Sequence, residues 1–192
     1  MTKLNIKELN TKSKSMTLQE RLSFIVNGFS NRFCLASSMG LEDQLLTHYL
    51  LQEDKNAVIF ILDTQRLNLE TYQLIKKTMD VYQFKYQIYY PETSAVNQLV
   101  AQKGEFSFYD SIENRKECCG IRKVEPLQRA LADVDAWVTG LRKSQSVTRD
   151  SVAFVEQDEA HGIYKFNPLF DWRFNDVFEK VKSLSIPYNT LH

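Results

Sequence analysis

The chain has 192 residues, with 24 Lys plus Arg against 24 Asp plus Glu, so no global charge draws it to nucleic acid or to an anionic membrane and any basic function has to be local. That length suits one domain with a sizeable core and would cramp two. Three cysteines form no even framework and argue against a secreted disulfide scaffold and for a reducing, cytoplasmic setting; the polar residues after Met1 are no signal peptide, and no run approaches the ~20 apolar residues of a membrane helix.

Residues 1–16 read as a polar, frayed lead-in, and residues 17–192 as one α/β domain. Thr17 followed three residues later by Glu20 is a capping-box pattern, opening a helix with Leu18, Leu22, Ile25 and Val26 on one face. Residues 32–36 read as a strand that enters the tight loop Ser37-Ser38-Met39-Gly40. Leu41, Leu45, Leu46 and Tyr49 then repeat at helical spacing, with Glu42 and Asp43 in the first turn, where the macrodipole favours acids. Residues 57–62 are continuously apolar and β-prone, as in a strand buried on both faces of a parallel sheet. A helix is expected from about Glu70 to Met79, and Tyr82, Phe84, Tyr86, Ile88 and Tyr90 alternate in strand fashion until Pro91. A helix through Val96 and Val100 comes next, and Pro126 suits the first turn of another carrying Leu127, Ala130 and Leu131. Strands are expected at 136–139 and 163–166, and Phe174, Val177, Phe178, Val181 and Leu184 mark a last helix. This alternation implies a doubly wound, mainly parallel sheet whose ligands sit at the carboxyl ends of its strands.

Four polar clusters fall at such ends. The loop from Ser37 to Asp43 can cradle a phosphate with backbone amides, hydroxyls and a helix N-terminus, or be an ordinary capped turn; it has neither a Gly-Lys-Ser/Thr nor a GxGxxG signature. Asp63 and Thr64 leave a buried strand and suit either a sugar or adenine edge or a helix cap. Thr139-Gly140-Leu141-Arg142-Lys143-Ser144-Gln145-Ser146-Val147-Thr148-Arg149 offers three cations and several hydroxyls, fit for phosphate or sulfate or simply for solvent. Cys118 and Cys119, adjacent in a stretch with Arg115, Lys116, Arg122 and Lys123, are too close along the chain for an unstrained mutual disulfide, and the nearby cations favour thiolates that attack electrophiles or ligate metal. Cys34, inside a core strand, reads as a small buried hydrophobe.

In this order and spacing, Leu35-Ala36-Ser37-Ser38-Met39-Gly40-Leu41-Glu42-Asp43-Gln44, Leu62-Asp63-Thr64, Arg115-Lys116-Glu117-Cys118-Cys119, Lys123-Val124-Glu125-Pro126-Leu127, Thr139-Gly140-Leu141-Arg142 and Tyr164-Lys165-Phe166-Asn167-Pro168-Leu169 resemble the sulfonucleotide reductases of sulfate assimilation. The resemblance runs from about Arg32 to His192. It implies an adenine nucleotide α-hydrolase type of fold in which Ser37, Ser38, Gly40 and Asp43 belong to a modified pyrophosphate-binding loop. It implies that Asp63 and Thr64 line the nucleotide pocket, that Gly140 lies near the adenine, that Arg142 and Arg149 hold the phosphosulfate, and that Lys116 lies between sulfate and cluster. It also implies an oxidoreductase that converts adenylylsulfate or phosphoadenylylsulfate to sulfite and AMP or adenosine 3′,5′-bisphosphate, with thioredoxin or glutaredoxin as electron donor. A Cys-Cys pair marks the branch that carries a [4Fe-4S] cluster and prefers adenylylsulfate, making Cys118 and Cys119 cluster ligands.

Relatives continue past a segment like residues 186–192 into a Cys-x-x-Cys loop and a tail bearing the nucleophilic cysteine. The expectation is therefore that residues 1–192 bind nucleotide without full turnover. The alternatives are a non-catalytic nucleotide-binding remnant or regulatory module and an ATP-cleaving adenylating enzyme; the paired glycines typical of the last are absent from the loop at 37–43. A second copy of the chain is a further candidate partner.

Overall fold

The computed structural model describes residues 4–145 and 152–189. Six strands form one sheet in the order β3-β2-β1-β4-β6-β5, comprising β1 (Phe33–Ala36), β2 (Val58–Leu62), β3 (Gln87–Tyr89), β4 (Ala136–Val138), β5 (Val155–Asp158) and β6 (Ile163–Phe166). All neighbours pair in parallel except β5 and β6, which pair antiparallel. Successive strand side chains point to opposite faces, and here both faces are covered. Phe33, Leu35, Ile59, Ile61, Ala136 and Val138 enter the larger core, with α2 (Leu18–Phe29), α3 (Leu41–Glu53), α4 (Leu69–Tyr82) and α8 (Phe174–Ser183). Cys34, Phe60 and Trp137 face the other way into a smaller core closed by Leu127, Ala130 and Leu131 of α7 (Glu125–Leu131). The sheet is thus doubly wound and mainly parallel. Strand order reverses between β1 and β4, the switch point at which such sheets open a crevice.

Local chemistry explains the boundaries. The capping box at α2 is formed in both directions: the Thr17 amide donates to Glu20 Oε2 at 2.7 Å and the Glu20 amide to Thr17 Oγ1 at 3.2 Å. The residues expected as a frayed lead-in are instead helical over α1 (Ile6–Lys12), followed by a 3₁₀ turn. Leu9 and Ser13 are buried there. The Asn10 side chain donates 2.9 Å to the Val155 carbonyl and accepts 2.9 Å from the Val155 amide, acting as a short surrogate strand beside β5. Polarity misled the reading: the few apolar residues of the segment, Leu4, Ile6 and Leu9, pack on the larger core while Asn10 clasps β5.

The expected strand over residues 82–90 shrinks to Gln87–Tyr89. Tyr82 completes α4, and Gln83 closes it in the left-handed region, φ 54° and ψ 44°. The aromatic alternation therefore spans a helix end, a turn and a strand, with Tyr82 and Phe84 packing against the larger core. The strand β5 was not expected. Between β3 and β4 run α5 (Thr93–Lys103), α6 (Ile112–Cys119), a π-helical turn over Gly120–Val124, and then α7. Among the described residues no helix is long and apolar enough to cross a membrane.

Candidate functional site

The segments leaving β1, β2 and β4 enclose a cavity of about 670 Å³ at the carboxyl ends of those strands. Its first wall is the loop at residues 37–43. Ser37 donates its amide to Phe60 O (2.9 Å) and its hydroxyl accepts the Met39 amide (3.2 Å), tying the loop to β2 and to itself. Met39 sits at φ 65°, an unfavourable region for a side chain, and is held there by burial. Gly40 caps α3 without a side-chain hydrogen bond. Asp43 Oδ2 accepts both the amide and the hydroxyl of Ser38, each at 2.7 Å, so this carboxylate fastens the loop from within. Burial pushes the Asp43 pKa up to about 6 against the pull of those Ser38 hydrogen bonds.

Gly140 brings the segment after β4 onto that wall. A β-carbon there would lie 2.7 Å from Glu42 Cβ and closer still to Asp43 Oδ1, so only glycine permits the approach. Arg142, two residues on, is buried with its guanidinium engaged. Nε and NH2 lie 2.7 and 2.6 Å from Glu42 Oε1, and NH1 donates 2.7 Å to Ser144 Oγ. It does not line the cavity; Glu42 does, with its charge offset by Arg142.

From β2, Thr64 lines the cavity, whereas buried Asp63 turns its carboxylate to the Gln65 amide (2.7 Å) and the Tyr72 hydroxyl (3.0 Å). Three cations missed as site residues in the sequence complete the lining: Arg66, Lys123 and Lys165. Arg66 pairs with Glu105 at 2.8 Å and lies 4.4 Å over the Phe108 ring. Lys165 stands 5.7 Å over the ring of Trp137, its register partner on β4, and Trp137 also lines the cavity. Alternation along residues 163–166 and 136–138 was the available signal for the last pair. Lys116 is exposed on α6 and is not among the lining residues, while Lys123 is. Arg149 lies outside the described residues.

The structure thus brings together Ser37, Ser38, Asp43, Thr64 and Gly140 at one cavity, with cations on its rim. A polar loop carrying the exposed Ser38, a helix N-terminus and nearby Lys and Arg side chains suits an anionic ligand, and the apolar floor of Phe60, Leu127 and Trp137 suits a flat base.

The cysteines stand apart from the cavity lining. Cys34 is buried in β1, and burial alone pushes its thiol up to about 12, so it is an inert core residue. Cys118 and Cys119 end α6; the first is buried and the second exposed, as expected of helix neighbours about 100° apart. Of the surrounding cations Arg115, Lys116 and Lys123 are exposed, while Arg122 is buried and turned toward the carbonyl of Thr64. Thiol donors fit an iron-sulfur cluster in chemistry but supply two of the four ligands of a cubic one. Among the described residues no group of three or more His, Cys, Asp or Glu side chains gathers to complete the set.

Residues 32–192 match the family model of the phosphoadenosine phosphosulfate reductase domain. A Burkholderia cepacia protein named adenosine 5′-phosphosulfate reductase is 50% identical over 157 residues, covering 82% of this chain and 63% of that protein, so the chain spans less than two thirds of its relative's length. The crystal structure of a Candida auris phosphoadenylyl-sulfate reductase in a phosphate complex superposes with a TM-score of 0.84 at 28% identity, covering 100% of this chain and 92% of the other. An NH3-dependent NAD synthetase from Campylobacter jejuni (TM-score 0.60, 13% identity, covering 96% and 75%) shares the fold alone, which places the sheet in the adenine nucleotide α-hydrolase-like class.

Proposed function

The chain belongs to the phosphoadenosine phosphosulfate reductase domain family, and from that premise we propose that its cavity binds adenosine 5′-phosphosulfate for reduction to sulfite and AMP. The observation that carries this reading is the convergence of the Ser37–Asp43 wall, Gly140 and three cations on one cavity at the switch point of the sheet. The phosphate lies on the loop at 37–43, where Ser38 and the N-terminus of α3 meet it, and the base lies toward Gly140 and Thr64. Arg142 contributes by neutralising Glu42, without which the pocket would present a bare carboxylate to an anion. Arg149 is proposed to hold the phosphosulfate from the segment after residue 145, and Lys116 to face it from the α6 side; Lys123, on the cavity wall itself, is the better placed of the two lysines.

Cys118 and Cys119 would hold one side of a [4Fe-4S] cluster, a site supported by the softness of thiolate donors. When bound, the cluster would supply a compact metal-sulfide charge centre at the end of α6. Neither thiol, nor buried Cys34, lines the cavity, so the sulfur that attacks the sulfonyl group is assigned to none of the three. The final electron donor in this reading is a cytoplasmic dithiol protein of the thioredoxin class, supported by family membership.

Isothermal titration of the 192-residue chain tests the reading. AMP and adenosine 5′-phosphosulfate are expected to bind, and the treated protein is expected to carry no S-sulfocysteine by mass spectrometry. Failure of both nucleotides to bind would sink the assignment of the cavity, whereas S-sulfocysteine on Cys34, Cys118 or Cys119 would sink the assignment of the thiols.

A further inference from the structure

Arg122 occupies the π-helical turn Gly120–Val124 that follows the cysteine pair, a wide geometry that is rare and concentrated at functional sites. The turn sends two neighbouring cations to different places. Lys123 reaches the cavity wall, while Arg122 points inward with a side chain only 5% exposed. Its NH1 donates 2.8 Å to the carbonyl of Thr64, the lining residue just past β2. Its NH2 is 3.7 Å from Glu105 Oε1, the same oxygen that meets Arg66 at 2.8 Å, and its Nε is buried without an acceptor. A buried guanidinium gains most from a fork-to-fork carboxylate pair. Arg122 lacks that arrangement: its short bond runs to a neutral backbone oxygen on the cavity wall.

We propose that Arg122 is a positioning residue that ties the cysteine-bearing end of α6 to the wall of the nucleotide cavity, so that occupancy of the cavity is felt at residues 118–124. The link has three members: Thr64, which meets the ligand side; Arg122, which holds the carbonyl of Thr64; and the turn, which fixes both where Cys118 and Cys119 stand and where Lys123 enters the cavity. Glu105 steadies the charge and joins Arg66 to the same node. This inference rests on the cavity being a nucleotide site.

Backbone hydrogen exchange with and without AMP tests the coupling in the full 192-residue chain. In the unaltered protein AMP is expected to slow exchange by at least about threefold both at residues 37–43 and at residues 118–124. In Arg122→Met the slowing at 37–43 is expected to persist and that at 118–124 to vanish. Arg122→Lys, which keeps the charge but loses the planar fork, is expected to give an intermediate slowing at 118–124 and covers the case in which the Met variant does not fold. Unchanged slowing at 118–124 in either variant would overturn the link. No slowing at 37–43 in the unaltered protein would instead overturn the nucleotide reading.

Discussion

Asp43 shows how one side chain sets the character of the cavity wall. Its carboxyl is buried between the loop it fastens and Gly140 at the edge of the cavity, and burial outweighs the two Ser38 hydrogen bonds to raise its pKa from 3.8 to about 6. Between those values the folded chain binds more protons than the unfolded one, so this residue's contribution to stability falls as pH rises through the window. Above about pH 6 both states are ionised and the loss is complete, on the order of 3 kcal/mol. Asp43→Asn keeps an acceptor for Ser38 and removes the titration. Urea denaturation at pH 4, 5, 6 and 7 is expected to show a decline between pH 4 and 6 in the unaltered protein that is absent in the variant; parallel profiles would count against the assignment. Gly140 is the other residue on which the wall depends. Gly140→Ala drives a methyl into Glu42 and Asp43, and is expected to cost about 1–3 kcal/mol in chemical denaturation and to weaken AMP binding. A variant with native stability and affinity would show that the two segments part without penalty.

The elements show where pattern reading succeeds and where it stops. The α2 start was legible because the capping box is written in four consecutive positions, and β2 was legible because a fully apolar run buried on both faces has no competing explanation. The end of α4 was not. Tyr82, Phe84 and Tyr86 obey a strand rhythm in sequence, yet a left-handed Gln83 ends a helix between them, and only packing against the larger core decides the matter. The helix α1 escaped notice for a different reason: its anchor is the Asn10 amide on Val155, 145 residues away. Asn10→Ala removes two hydrogen bonds and uncovers the edge of β5. We expect a loss of about 1–3 kcal/mol by urea denaturation and faster amide exchange along β5. Exchange unchanged along β5 would mean that the edge is protected by something other than this amide.

At the scale of the molecule, the alternation of strands and helices announced a doubly wound sheet but not its order. The reversal between β1 and β4 that opens the cavity depends on pairings between segments about a hundred residues apart, such as Cys34 with Trp137. Ser37, Ser38, Asp43, Thr64 and Gly140 were named from the sequence and line the cavity, whereas Arg66, Lys123 and Lys165 stand in or beside the same motifs but were not named, because which way a cation turns is set by packing rather than by sequence position. Arg142 was given a direct ligand role from the sequence; in the structure its guanidinium pairs with Glu42, a contact across 100 residues that no local pattern reveals.

The Asn10–Val155 clasp is joined by a second one, in which buried Arg21 meets the Pro168 carbonyl and the Asp171 carboxylate, 147 and 150 residues further along. Both have a consequence for birth on the ribosome. At about 5–20 residues per second, α1 and α2 emerge on the order of ten seconds before the residues that receive them are made. During that interval Arg21 has no interior to enter and Leu22 and Ile25 have only part of their eventual core. Helices α1 and α2 are thus locked long after they are made, and the growing chain passes the interval between Arg21 and Asp171 with that clasp unformed.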